Sequence, residues 1–198
     1  MLIAVADLDA AAELFATRHG LTSIEGGRHP GWGTANRIVP LGDSYLELVA
    51  VVDAGEAPTS VFGRWVAAGA SAEGTPLGWV VRTDELDATA GRLGLTIGTG
   101  SRRTPSGELV EWRSAGIEQA AAEPVLPFFI EWAPGTRLPG SAGGDTRLSK
   151  LCLTGDGDRL RAWLGRNSLP IGVQPGPPAV RQIVLRSRAE ELVLGEPA

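Results

Sequence analysis

The residues best suited to chemistry lie in one short stretch, Gly26-Gly27-Arg28-His29-Pro30-Gly31-Trp32-Gly33-Thr34-Ala35-Asn36. Four glycines around one histidine let the backbone take positive φ and approach a ligand closely, so the segment reads as a loop carrying a reactive group. His29, with an ordinary pKa of about 6.5, suits a general acid or base near neutral pH, or metal ligation through a neutral imidazole. The plainer alternative is a loop histidine that only bonds backbone. Asn36 opens the strand after this loop, where it could bind a substrate carbonyl or orient His29; Thr34 and Asn36 could equally just close the turn. Arg28 could take a carboxylate in bidentate fashion or stand free on the surface. Trp32 is the tryptophan best placed to touch a ligand. The second histidine, His19, precedes Gly20 at a helix end, where the dipole favours a partly positive ring and glycine supplies the C-cap.

Composition narrows the classes of chemistry. A chain of 198 residues suits one large domain or two small ones, and a net charge of -5 with a pI near 5.1 is opposite to the footprint of a nucleic-acid binder. No apolar run approaches the roughly 20 residues of a membrane span. The amino-terminal segment lacks the basic flank and apolar stretch of a signal peptide. With one cysteine, Cys152, and hence no internal disulfide, a cytoplasmic location is expected. Two histidines and one cysteine exclude a His-rich zinc site and a four-cysteine cluster. Lys150 is the only lysine, in a polar stretch with nothing to depress its pKa, which argues against Schiff-base chemistry. Phosphate-loop, dinucleotide, nucleophile-elbow and HExxH motifs are absent. The expected partner is a small molecule.

The elements that must position these residues come as a repeat. Leu2-Ile3-Ala4-Val5 followed by Asp7 to Phe15, Gly78 to Val81 followed by Asp84 to Leu93, and Leu151 to Thr154 followed by Asp156 to Leu164 each read as a strand and then a helix with an acidic start. Short apolar runs follow each helix: Arg37 to Leu41 and Tyr45 to Val52, Leu109 to Arg113 and Leu126 to Trp132, and Arg181 to Leu185 and Glu191 to Leu194. Thr59 to Ala70 carries apolar residues at helical spacing and reads as a connecting helix. The expected architecture is α+β. Unit one spans residues 1–56, the connecting helix 57–74 and unit two 75–135; a Gly/Pro linker at 136–145 leads to a shorter third βαββ unit at 146–198.

Tandem strand-helix-strand units, the Asp7-Leu8-Asp9-Ala10-Ala11 helix start, the Gly26 to Asn36 stretch, and the Tyr45-Leu46-Glu47-Leu48 and Leu126-Pro127-Phe128-Phe129-Ile130-Glu131-Trp132 segments resemble the vicinal oxygen chelate superfamily of glyoxalases, extradiol dioxygenases and bleomycin-resistance proteins. The narrower resemblance is to a glyoxalase-like group of bacterial proteins. It implies two βαβββ units paired about a pseudo-twofold axis into a curved, mixed-sheet cup. It further implies inward carboxylates on the last strand of each unit, Glu47 beside Tyr45 and Val49, and Glu131 beside Phe129 and Ala133. The family's usual first-strand histidine would fall at or before Met1, and Gly78-Trp79 supplies no ligand in unit two, so the two-histidine, two-glutamate metal set is not expected. What remains as a divalent-metal set is His29, Glu47 and Glu131.

These resemblances imply a lyase, isomerase or hydrolase of an oxygenated metabolite. His29, Glu47 and Asn36 would be its catalytic residues, and Arg28, Trp32, Thr34, Tyr45 and Trp132 would bind substrate. The alternative is a non-catalytic binding or sequestration protein of the bleomycin-resistance kind. A homodimer is expected, and unit three, with Leu192 or Val193 in the Glu47 register, is expected to be structural.

Overall fold

The computed structural model describes residues 1–188 and 190–195. Unit one comprises β1 (Leu2–Ala4), α1 (Leu8–His19), β2 (Ile24–His29), β3 (Thr34–Pro40) and β4 (Tyr45–Val51). A 3-10 turn at Ala57–Thr59, α2 (Val61–Gly69) and β5 (Thr75–Gly78) connect it to unit two. Unit two runs β6 (Val80–Arg82), α3 (Leu86–Leu93), β7 (Ile97–Arg103), β8 (Leu109–Ala115), α4 (Ile117–Ala122) and β9 (Phe128–Trp132). In both units the first strand lies parallel to the last, with Leu2 opposite Glu47 and Val80 opposite Phe128.

The two halves join where β2 meets β7, with Arg28 opposite Arg103. The result is a single nine-stranded sheet ordered β5-β1-β4-β3-β2-β7-β8-β9-β6. Apart from β5 its halves mirror each other, and it curls into the cup that the family resemblance implied. The seam strands β2 and β7 carry glycines and charges rather than β-branched runs, so pairing, and not local propensity, makes them strands. Asp7 caps α1 by accepting from the Ala10 N–H at 2.8 Å, and Gly20 ends that helix at φ 65°. The matching helix α3 starts after Glu85 with no side-chain cap, contrary to the acidic cap expected there.

The third unit departs from the expected copy. It contains β10 (Arg147–Thr154), α5 (Gly157–Leu164), β11 (Ile171–Gln174), β12 (Ala179–Arg186) and β13 (Glu191–Gly195). That is one strand more than the apolar runs indicated. Its order is β11-β10-β12-β13, so β10 pairs with β11 and β12, whereas β1 and β6 pair with their units' last strands. It forms a separate sheet packed on the outside of the cup, in one core with Phe15, Trp79 and Phe129. Trp163 anchors it, buried among these side chains and donating its indole N–H to the Pro127 carbonyl at 2.9 Å.

The expected linker is a docked strap. Its 3-10 turn, Pro139–Ala142, lies on the β3–β4 turn, where the Gly42 N–H donates to the Gly140 carbonyl at 3.0 Å. A Cβ on Gly140 would come within 2.2 Å of the Ser44 carbonyl oxygen, so only glycine permits this approach. Among the described residues, no helix is long and apolar enough to cross a membrane.

Candidate functional site

His29 is the last residue of β2, opposite Thr34, and only 4% exposed; it is a buried strand residue and not a group on a surface loop. What turns it inward is a bulge. The pairing of β2 with β3 shifts between Glu25 and Gly27, leaving Gly26 as an extra residue. Side chains alternate along a strand, so one inserted residue reverses which of two neighbours faces the cup. His29 therefore points in and Arg28 out, where Arg28 is exposed and lines an outer groove. Glycine is required at the bulge: a Cβ on Gly26 would meet Asn36 Oδ1 at 2.0 Å, and one on Gly27 would strike the Arg103 carbonyl oxygen across the seam.

Inside the cup, His29 Nδ1 lies 2.9 Å from Thr34 Oγ1 and Nε2 lies 3.9 Å from Glu47 Oε1. The same Glu47 oxygen accepts a hydrogen bond from Asn36 Nδ2 at 2.8 Å. Glu47 thus stands beside Nε2 at ion-pair but not hydrogen-bond distance, and the direction of the Nδ1–Thr34 hydrogen bond follows the tautomer of the ring. Burial lowers the His29 pKa below its ordinary 6.5; Glu47 opposes this shift and Arg102 adds to it. The imidazole is thus neutral at neutral pH. Burial also raises the Tyr45 pKa, and the Glu47 charge pushes it further in the same direction.

Arg102 on β7 completes the polar centre, and nothing in the sequence pattern pointed to it. It is 8% exposed and donates from Nη1 to the Gly26 carbonyl. Among the described residues no carboxylate lies within 4 Å of it. Its strand, Ile97-Gly98-Thr99-Gly100-Ser101-Arg102-Arg103, has no apolar alternation to reveal an inward face. Gly100 serves that face: a Cβ there would meet the Trp112 indole at 2.5 Å.

Aromatic rings wall the centre. Trp32, Phe62 and Trp112 stand 5.7, 6.1 and 6.0 Å from the His29 ring, and Trp132 lies 5.5 Å beyond Trp112. The Trp32 turn is tied down by Glu56, whose carboxylate accepts the Gly31 and Gly33 N–H groups at 2.8 and 2.9 Å. Phe62 comes from α2, whose start is capped by Ser60 accepting from the Gly63 N–H. Tyr45, Phe128 and Ile130 also line the space, which measures about 30 Å³, room for about one water molecule.

Of the sequence candidates, His29, Trp32, Thr34, Asn36, Tyr45, Glu47 and Trp132 therefore converge, and two do not. Arg28 faces outward. Glu131 is the second correction: on β9 the inward residues are Phe128, Ile130 and Trp132, so Glu131 faces α3 with Phe129. There it binds Arg113 through both Nε, at 2.8 Å, and Nη2, while Arg113 also holds Asp87 at 2.7 and 3.1 Å. Hydrogen bonding to Arg113 keeps Asp87 below the usual carboxylate range.

The divalent-metal set of His29, Glu47 and Glu131 does not come together in this structure. Glu131 is on the far side of the sheet, His29 already bonds Thr34 through Nδ1, and the remaining flank of the centre is the cationic Arg102. No group of three or more His, Cys, Asp or Glu side chains suited to a metal occurs among the described residues.

Comparisons with known proteins agree with this geometry at the level of family and fold. Comparison with curated proteins finds no significant match. Among solved structures, a Staphylococcus aureus protein described as hypothetical matches over 97% of this chain and 82% of its own, at 13% identity and a TM-score of 0.63. Methylmalonyl-CoA epimerase from Mycobacterium tuberculosis matches over 68% of this chain and 85% of its own, at 19% identity and a TM-score of 0.46. The family model described as a glyoxalase-like domain matches residues 1–166, covering the cup, the strap and the start of the third unit. The chain belongs to the glyoxalase-like domain family, as its strand-helix repeat and the Gly26 to Asn36 stretch indicated.

Proposed function

We propose that the protein is an enzyme that moves a proton on a small oxygenated metabolite, with Glu47 as the base. The observation that carries this reading is the one-sided solvation of Glu47: Asn36 and His29 both address Oε1, while aromatic walls surround the centre. A carboxylate bonded at one oxygen in an apolar setting keeps the other as a proton acceptor. Arg102, across the centre, is suited to hold the carbonyl or carboxylate oxygen next to the reacting carbon. There it stabilises the negative charge that develops when Glu47 removes the neighbouring proton. Return of that proton to the same carbon gives epimerisation, return to a neighbour gives isomerisation, and loss of an adjacent leaving group gives elimination. Asn36 orients Glu47 through its amide at 2.8 Å, and His29, neutral and tethered by Thr34, stands beside the same oxygen.

The test is hydrogen exchange in D2O across a panel of oxo, hydroxy and alkyl carboxylic acids, read by mass spectrometry. The expected result is deuterium incorporation next to the carboxyl or carbonyl group, lowered about 10²–10⁴-fold in Glu47→Gln. Exchange at the wild-type rate in that variant would sink the assignment. A second reading, binding without turnover, is favoured by the tryptophan-rich wall. Retention of an acid with no exchange and no product would select it.

A further inference from the structure

The polar centre is too small for a substrate larger than a few atoms, yet a second space abuts it. Between the cup, the strap and the third unit lies a chamber of about 330 Å³, at the lower end of the roughly 300–1,000 Å³ typical of small-molecule pockets. Tyr45, Val80, Ile130, Trp132 and Pro139 line both spaces, so the same side chains form their common wall. The far wall belongs to the third unit, through Leu148, Leu151, Leu169, Pro170 and Ile171. Among the described residues Asp43 and Arg82 bring the only charged side chains along its lining, both exposed, and the lining residue Met1 carries the N-terminal ammonium, which donates to the Tyr45 carbonyl at 2.9 Å. Ser44 Oγ, also on the lining, is out of solvent with no hydrogen-bond partner.

We propose that this chamber holds the apolar tail of the substrate, making the third unit a specificity element and the substrate class a carboxylate with a hydrocarbon chain. The inference rests on the reading of Glu47 and Arg102 as the site of the polar head. Three observations carry it. Arg102 is a buried cation with no carboxylate within 4 Å among the described residues, which suits an anionic head. The chamber is apolar and shares five lining residues with that head site. The strap that closes it is locked in place by a glycine contact on the Gly42 to Ser44 turn. A hydrocarbon tail entering the chamber would remove apolar surface from water on both sides at once.

The experiment uses the full chain and straight-chain carboxylates from acetate to octanoate, with the matching 1-alkanols, followed by tryptophan fluorescence and calorimetry. Two variants of the partly exposed Leu169 bracket the chamber: Leu169→Trp fills it and Leu169→Ala enlarges it. The expected result is acid affinity rising up to about fourfold per methylene. That rise should stop at a shorter chain in Leu169→Trp and continue to a longer one in Leu169→Ala. Arg102→Gln should weaken every acid by a similar factor and leave the alkanols unchanged. Affinity that is flat with chain length, or a rise indifferent to both Leu169 variants, overturns the chamber assignment while acid binding lost in Arg102→Gln keeps the head site. Alkanols that bind with the Leu169-sensitive rise, when no acid binds, overturn the head site and with it this substrate class. Absence of binding by either series overturns the chamber.

Discussion

The two halves of the cup carry a carboxylate on nearly the same sequence motif and use it in opposite ways. Glu47 in Tyr-Leu-Glu-Leu faces inward, bonded by a neutral amide and beside a neutral imidazole. Glu131 in Phe-Ile-Glu-Trp faces outward, bonded by Arg113, which in turn binds Asp87. The symmetry of the fold therefore stops at the backbone. Unit one supplies the acid, amide and imidazole, whereas unit two supplies Arg102 and the walls Trp112, Phe128, Ile130 and Trp132. A carboxylate held by an arginine network is a structural group. One held by uncharged donors keeps its negative charge available to a substrate.

The contrast is broken most sharply by paired substitutions. Glu47→Gln should lower turnover about 10²–10⁴-fold, while Glu131→Gln leaves turnover unchanged and lowers Tm by no more than about 4 °C. Steady-state kinetics and thermal melts on both variants check this, and equal kinetic losses would refute the division of labour. Arg102→Gln should weaken binding of anionic substrates about 10–100-fold, the value of a charge-assisted hydrogen bond. The same change at the outward Arg28 should leave binding unaltered. Titration of ligand against both variants distinguishes them.

The buried imidazole gives a further, smaller effect. Because its pKa is lowered by burial, His29 takes up a proton more readily in the unfolded chain than in the folded one. Stability is then complete above about pH 6.5 and falls as the pH drops below it, by at most about 1.4 kcal/mol per pH unit from this group. Urea melts at a series of pH values should show this slope in the wild type and a shallower one in His29→Gln. An unchanged slope would mean that another group controls acid stability. The smallest contrast is in the helices: Asp7→Ala should cost about 1 kcal/mol by removing the α1 cap. Glu85→Ala, at the uncapped start of α3, should cost much less.

Legibility in the sequence followed how local each cause was. The Asp7 and Asp156 caps, the Gly20 helix end and the α2 stripe announce their helices because capping and helical spacing act within a turn or two. The strand-helix repeat and its motifs were sufficient to indicate the family and the paired cup. His29, Thr34, Asn36, Glu47 and the Tyr45, Trp32 and Trp132 walls were all visible as candidates. Arg102 was not, because β7 becomes a strand only through its partners, Glu56 was not, because its work is to hold a turn 23 and 25 residues away.

The amino-acid sequence alone determined the strand-helix openings of the three units and marked the acid, amide, imidazole and several aromatic residues of the cup, since these depend on composition and short-range periodicity. Tertiary structure decided which way adjacent residues face. A single extra residue at Gly26 put His29 inside and Arg28 outside, and the register of β9 put Ile130 and Trp132 inside and Glu131 outside. It also decided that the third unit is a differently ordered sheet and that the Gly/Pro segment is a fixed strap. The physical reason is the two-residue period of a strand: local chemistry can mark a segment as extended, but only pairing with its neighbours chooses the face.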